Sequence, residues 1–88
     1  MITAEEKRTI QNITNKYKAS RVLLFGSAVN QVDYEDIDIA VDGIPDEDFY
    51  AFYGELMCAL SKSIDIVDLS KKSKFIDLIL QEGVLLDS

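Results

Sequence analysis

The sequence predicts an α/β (α+β) fold, a small mixed β-sheet covered by helices, and three observations carry that prediction. Short apolar, β-branched runs at residues 22–25, 36–41 and 64–69 have the length and composition of strands. Between and around them, apolar residues recur at helical spacing. The segments then fall in the order α-β-(short α)-β-α-β-α, with at most one turn of helix after Ser27, which requires helices packed against a sheet.

Each element has a local cause. Thr3-Ala4-Glu5-Glu6 has the capping-box pattern, so a helix starts near Ala4, with Ile10, Ile13 and Tyr17 as its buried stripe. Residues 18–21 connect it to the first strand. The second strand begins Asp36-Ile37-Asp38-Ile39. Asp42-Gly43-Ile44-Pro45 is a loop, because Pro45 has no N–H to give a ladder, and Asp46 is the expected N-cap of the next helix. That helix, 47–60, carries Phe49, Phe52, Tyr53, Leu56 and Leu60 on one face, read as core packing, with acidic residues in the first turn where the helix dipole favours them. Cys58 is expected to be a buried, inert thiol in the same apolar pattern. The third strand follows at 64–69. A last helix at 74–82, with Phe75, Ile76, Ile79 and Leu80 on one face, ends at Gly83.

With 88 residues the chain makes one domain, 1–88, and 48% hydrophobic against 28% charged residues is the balance of an ordinary globular protein. One cysteine excludes an internal disulfide and fits a reducing, cytoplasmic setting. No apolar run has the ~18 residues that cross a bilayer, and charges at Glu5, Glu6, Lys7 and Arg8 stand where a signal peptide is apolar. No membrane association is expected. The net charge of −7 opposes binding to a polyanion, so stable nucleic-acid binding is not expected either.

The chemistry concentrates between residues 23 and 41. Alternating strand residues share a face, spaced roughly 7 Å apart, so Asp36 and Asp38 project together while Ile37, Ile39 and Val41 point the other way. Carboxylates this close repel, and a bound cation relieves them. Gly26-Ser27, at the end of the first strand, is a turn in which glycine permits close backbone approach, and the N–H groups with the Ser27 hydroxyl can donate to phosphate oxygens. Asp65 alternates with Ile64 and Ile66, and shares the face of Asp36 and Asp38 if the second and third strands are neighbours. Asp68 then faces away.

Phe-Gly-Ser, Asp-Ile-Asp-Ile-Ala-Val and Ile-Asp-Ile-Val-Asp-Leu, in that order, resemble the signature of the DNA polymerase beta-like nucleotidyltransferase superfamily, and most closely its minimal nucleotidyltransferases, over nearly the whole chain. The resemblance implies the nucleotidyltransferase fold and a metal-dependent transfer of an NMP, AMP above all, from an NTP to a hydroxyl acceptor. It implies that Gly26 and Ser27 hold the triphosphate, and that Asp36, Asp38 and Asp65 are the catalytic, Mg²⁺- or Mn²⁺-binding carboxylates, with Asp65 nearest the attacking hydroxyl. It also implies a protein partner of HEPN type, as in toxin–antitoxin pairs.

One departure defines an alternative. Many minimal nucleotidyltransferases follow Gly-Ser with an Ala-Arg-Gly type sequence, whereas this chain has Ala28-Val29-Asn30-Gln31, with no arginine or glycine between Ser27 and Asp42. Substitute cations occur only at Arg21, Lys62 and the Lys71, Lys72, Lys74 cluster. The alternative is therefore a catalytically weakened binding module, or antitoxin, that acts by complexing the HEPN-type partner. A single cysteine and no histidine exclude a zinc site and a serine-histidine hydrolase.

Overall fold

The computed structural model describes residues 2–29 and 34–86, apart from the side chains of Ser27 and Ala28. The elements run α1 (Ala4–Lys16), β1 (Arg21–Phe25), a 3₁₀ turn (Gly26–Val29), β2 (Asp36–Asp42), α2 (Asp46–Ala59), β3 (Ser63–Asp68), α3 (Lys74–Glu82) and β4 (Val84–Leu85). The Asn30-Gln31 part of the connection into β2 lies outside the described residues.

The capping box forms as the sequence requires: the Glu6 N–H donates to Thr3 Oγ1 and the Thr3 N–H donates to Glu6 Oε1, both at 3.0 Å. Helix α1 ends at Lys16, and two residues on Lys18 turns the chain in the left-handed conformation at φ 61°. The Lys18 and Ala19 N–H groups then satisfy the Asn15 and Thr14 carbonyls, each at 3.0 Å.

The sheet has the strand order β3-β2-β1-β4. β1 and β2 are antiparallel, with Val22 opposite Val41 and Phe25 opposite Asp38. β2 and β3 are parallel, their crossover being α2, and Asp38 lies opposite Asp65. Strand alternation sorts the side chains onto two faces. On one, Val22, Leu24, Ile37, Ile39, Val41 and Ile64 pack under α1 and α2 with Ile10, Phe52 and Leu56. On the other, Leu23, Ala40 and Leu69 pack against Ile76 and Ile79 of α3. That second face also carries Asp36, Asp38 and Asp65 at one end.

Local details differ from the sequence reading. Pro45, extended at φ −60°, takes the N-cap position of α2 and Asp46 becomes its first residue, so the acidic side chains of that turn act through the helix dipole without a capping hydrogen bond. Cys58 is exposed, not buried. It follows the buried Leu56 by two residues, a rotation of roughly 200° around the helix. In α3 only Ile76 and Ile79 are buried; Phe75 and Leu80 are 53% and 43% exposed, because one narrow strip of the helix meets the sheet. Strand β4 was not legible: Val84-Leu85 pairs antiparallel with Leu24 and Leu23, and the Leu86 N–H donates to Val22 O at 2.9 Å.

Candidate active site

Two neighbouring strands build one acidic face. Asp36 and Asp38 stand on β2 at i and i+2, and parallel pairing places Asp65 of β3 directly opposite Asp38, about 4.8 Å away across the ladder. Parallel register at this pair is what brings the carboxylates together; a shift of one residue would turn Asp65 to the opposite face. Asp68 points away and serves the turn after β3, where the N–H and hydroxyl of Ser70 donate to its Oδ1 at 2.9 and 2.7 Å.

Gly26 closes the site from β1. It sits at φ +76°, and a Cβ built there would overlap the Asp38 carboxylate, with Asp38 Cγ only 3.3 Å away. Glycine thus serves both the left-handed turn and the close approach to Asp38. The 3₁₀ turn starts at Gly26 and contains Ser27, so its backbone begins at the acidic face. The expected donor role of the Ser27 hydroxyl falls on a side chain outside the described set.

Asp38 is the electrostatic centre. Burial, the Asp65 and Asp36 charges, and a hydrogen bond with the Asp65 carboxyl all push its carboxyl above the usual range. Asp36 and Asp65 are exposed. Among the described residues, none of these carboxylates is in an ion pair with a lysine or arginine.

The donor set fits a hard divalent cation, since it is made of oxygen alone and two of its members face solvent, leaving room for water and phosphate ligands. The fit is open rather than preformed: among the described residues no group of His, Cys, Asp or Glu side chains stands ready to enclose an ion.

Three of the substitute cations are in ion pairs elsewhere. Arg21 lies at the far end of β1, some four residues or about 13 Å along the strand from Phe25, and pairs with Asp42 at 3.4 Å. Lys71 approaches Asp46 at 3.8 Å. Lys62, just before β3, donates to Glu6 Oε2 at 3.1 Å and lies 4.0 Å above the Tyr34 ring.

Two features were missed by reading the sequence. The first is the cluster of Glu6, Tyr34 and Lys62, in which the buried Tyr34 donates its hydroxyl to Glu6 Oε1 and so fastens the approach to Asp36 onto α1. Burial opposes ionisation of Glu6, but the hydrogen bonds from Tyr34, the Thr3 backbone and Lys62 outweigh it and lower its pKa to about 2. The second is a groove of about 350 Å³ bordered by Phe25, Gly26, Val29 and α3. Both join residues far apart in sequence; the capping-box glutamate alone was visible as a pattern.

Comparison with known proteins places this geometry. The family profile described as Polymerase beta, Nucleotidyltransferase matches residues 8–88. No curated protein sequence matches significantly. Among solved structures, a chain from a toxin–antitoxin with AMP-PNP is 26% identical with a TM-score of 0.74, covering 93% of this chain and 73% of that one. A chain from the tri-AMPylated Shewanella oneidensis HEPN toxin in complex with MNT antitoxin is 26% identical with a TM-score of 0.73, covering 94% and 70%. A further Shewanella oneidensis structure, at 22% identity and TM-score 0.76, covers 99% of this chain and 73% of that one and supports the fold alone. With its profile match spanning Gly26, Asp36, Asp38 and Asp65, and with an MNT antitoxin complex among the structures it is similar to, the chain belongs to the polymerase beta nucleotidyltransferase family.

Proposed function

We propose that the chain is a metal-dependent nucleotidyltransferase that moves AMP from ATP to a hydroxyl on a HEPN-type partner protein. The observation that carries this reading is the facing of Asp38 and Asp65 across β2 and β3, with Gly26 against Asp38. Asp36, Asp38 and Asp65 would hold Mg²⁺ or Mn²⁺, and the backbone of the Gly26-Ser27 turn would donate to the triphosphate. When bound, the divalent cation neutralises phosphate charge as the bond is exchanged.

The chain's own residues divide the chemistry between them. Asp38, whose carboxyl is pushed above the usual range by burial and by Asp65 and Asp36, would be stabilised as the anion by a bound cation. Asp65, exposed at the site end of β3, would accept the proton as the acceptor oxygen bonds to the α-phosphorus. The bond from that phosphorus to the bridging oxygen breaks, and pyrophosphate leaves with the electron pair. A bound partner would place its hydroxyl at this face, and such positioning accounts for several kcal/mol of a barrier, about 7 to 11 in favourable cases. Two solved relatives support the reading by what they contain, one AMP-PNP and the other a tri-AMPylated HEPN toxin with MNT antitoxin.

The test is incubation with the HEPN-type partner, ATP and Mg²⁺, followed by intact mass. Additions of AMP to the partner, lost in Asp65→Asn, are expected. A second reading, a weakened transferase that acts by complexing the partner, is favoured by the Ala28-Val29-Asn30-Gln31 sequence and by the engagement of Arg21, Lys62 and Lys71 in other ion pairs. A stable complex with no mass change for any NTP would select it.

A further inference from the structure

The cluster of Glu6, Tyr34 and Lys62 is not among the groups proposed to hold metal or phosphate, yet it grips the chain where both carboxylate-bearing strands begin. Tyr34 stands two residues before Asp36, and Lys62 is the residue before β3, three before Asp65. The β2–β3 ladder opens with Asp36 opposite Ser63, and Asp38 and Asp65 meet two residues further in, so all three carboxylates lie at its beginning. Strand ends open locally at low free energy. The spacing of the carboxylates therefore depends on contacts from outside the sheet.

One carboxylate on α1 supplies those contacts. Glu6 Oε1 accepts from the Tyr34 hydroxyl and the Thr3 N–H, and Glu6 Oε2 accepts from Lys62 Nζ at 3.1 Å. The Lys62 ammonium also lies 4.0 Å from the centre of the Tyr34 ring, a cation over an aromatic face. Each of the three thus holds the other two. Tyr34 is buried in the core cluster of Ile10 and Ile37, whereas Asp36 is exposed on the opposite face of the sheet. Strict alternation would put residues 34 and 36 on one face, so the chain bends at Glu35, and the burial of Tyr34 fixes where the acidic face of β2 starts.

Resting on the proposed function, we infer that Glu6, Tyr34 and Lys62 are positioning residues for the acidic face: one carboxylate of α1 ties the lead-in of β2 to that of β3 and so holds Asp36 and Asp38 in place against Asp65 for Mg²⁺. The choice of cation makes this placement matter. Mg²⁺ takes oxygens at about 2.0 to 2.1 Å in a nearly regular octahedron, while Ca²⁺ accepts longer and less regular sets. Loosening the strand ends should therefore cost Mg²⁺ more than Ca²⁺.

NMR titration of the full chain with Mg²⁺ or Ca²⁺ alone, together with amide hydrogen exchange of the metal-free chain, tests this. Tyr34→Phe keeps the ring but removes the donor to Glu6, and Lys62→Met keeps the stem but removes the cation. Each should weaken Mg²⁺ about tenfold, the low end for an outer-shell partner, weaken Ca²⁺ by no more than about threefold, and speed exchange in residues 36–38 and 63–65 more than in β1. Loss of a lysine makes the chain more negative, which by long-range charge alone would favour a cation, so weaker binding by Lys62→Met reports geometry. Lys62→Arg keeps a cation for the ring and a donor for Glu6 and should bind as the native chain does. Tyr17→Phe is the control: its hydroxyl donates to Glu55 Oε1 at 2.8 Å beside Lys16, a like trio at the other end of α1, roughly 16 Å along the helix from Glu6. It should lower stability and leave both affinities unchanged. Unchanged Mg²⁺ affinity in Tyr34→Phe, equal losses for Mg²⁺ and Ca²⁺, or an equal loss in Tyr17→Phe would overturn the positioning role while leaving the acidic face as the metal site. Absence of binding of either cation by the native chain would overturn the metal reading, and this role with it.

Discussion

Gly26 and Asp38 are in a contact that a side chain at position 26 would block. At φ +76° Gly26 presents bare backbone to the Asp38 carboxylate, and a β-carbon would overlap it. Gly26→Ala should therefore act twice. The left-handed conformation and the displaced carboxylate should together lower stability by about 1 to 3 kcal/mol in urea unfolding. Mg²⁺-dependent ATP binding should fall as well. Unchanged ATP affinity would separate the close contact from the site.

Asp38 should be a liability until it meets a cation. Its carboxyl is raised above the ordinary 3.8 by burial and by Asp65 and Asp36, so the folded state holds that proton more tightly than the unfolded chain. The stability it lends is present at low pH and is lost as pH rises through the raised value. In metal-free buffer at pH 7, Asp38→Asn should melt at a higher temperature than the native chain. Equal melting at neutral pH would show that the repulsion is already relieved.

Added Mg²⁺ should reverse that order. Binding to the folded state alone stabilises it by mass action, so the native chain should gain melting temperature with Mg²⁺ and Asp38→Asn should not. The control is NaCl at matched ionic strength. An equal gain there would reduce the effect to screening.

Glu6 sets the acid limit. Its carboxyl is lowered from 4.5 to about 2 although burial opposes this, because Tyr34, Thr3 and Lys62 donate to it. A depressed carboxyl contributes stability above its unfolded value and loses it as pH falls toward about 2. The loss should be on the order of 2 to 3 kcal/mol. Glu6→Gln should flatten the stability profile between pH 5 and pH 2, and Tyr34→Phe should flatten it in part. A native slope in Glu6→Gln would assign the acid limb to other groups.

Gly83 should govern the docking of β4. A Cβ there would come within 2.7 Å of the Ile79 carbonyl and 3.3 Å of Leu23 Cβ. Gly83→Val should cost about 1 to 3 kcal/mol and expose the Leu86 N–H, which donates to Val22 O at 2.9 Å. Hydrogen exchange at Leu86 reads this directly; unchanged protection would place the strain elsewhere.

The local rules sufficed where one segment settles its own state. The capping box at Thr3 and Glu6, the period of Phe52 and Leu56, and the Asp36-Ile37-Asp38-Ile39 alternation each encode an element and a face within a few residues. The candidate carboxylates were legible for that reason, since alternation alone puts Asp36 beside Asp38. Their union with Asp65 was conditional on strand order, which the parallel β2–β3 register supplies. Only tertiary structure could decide the rest. Cys58 and Phe75 sit in apolar-looking helices but remain exposed, because a narrow sheet covers just one strip of each helix. Val84-Leu85 becomes a strand because β1 has a free edge to pair with, a property of β1 and not of those two residues. Lys62, a free cation by composition, is committed to Glu6 and Tyr34, partners 56 and 28 positions away, since charge pairing follows distance in space and the sequence carries no record of it.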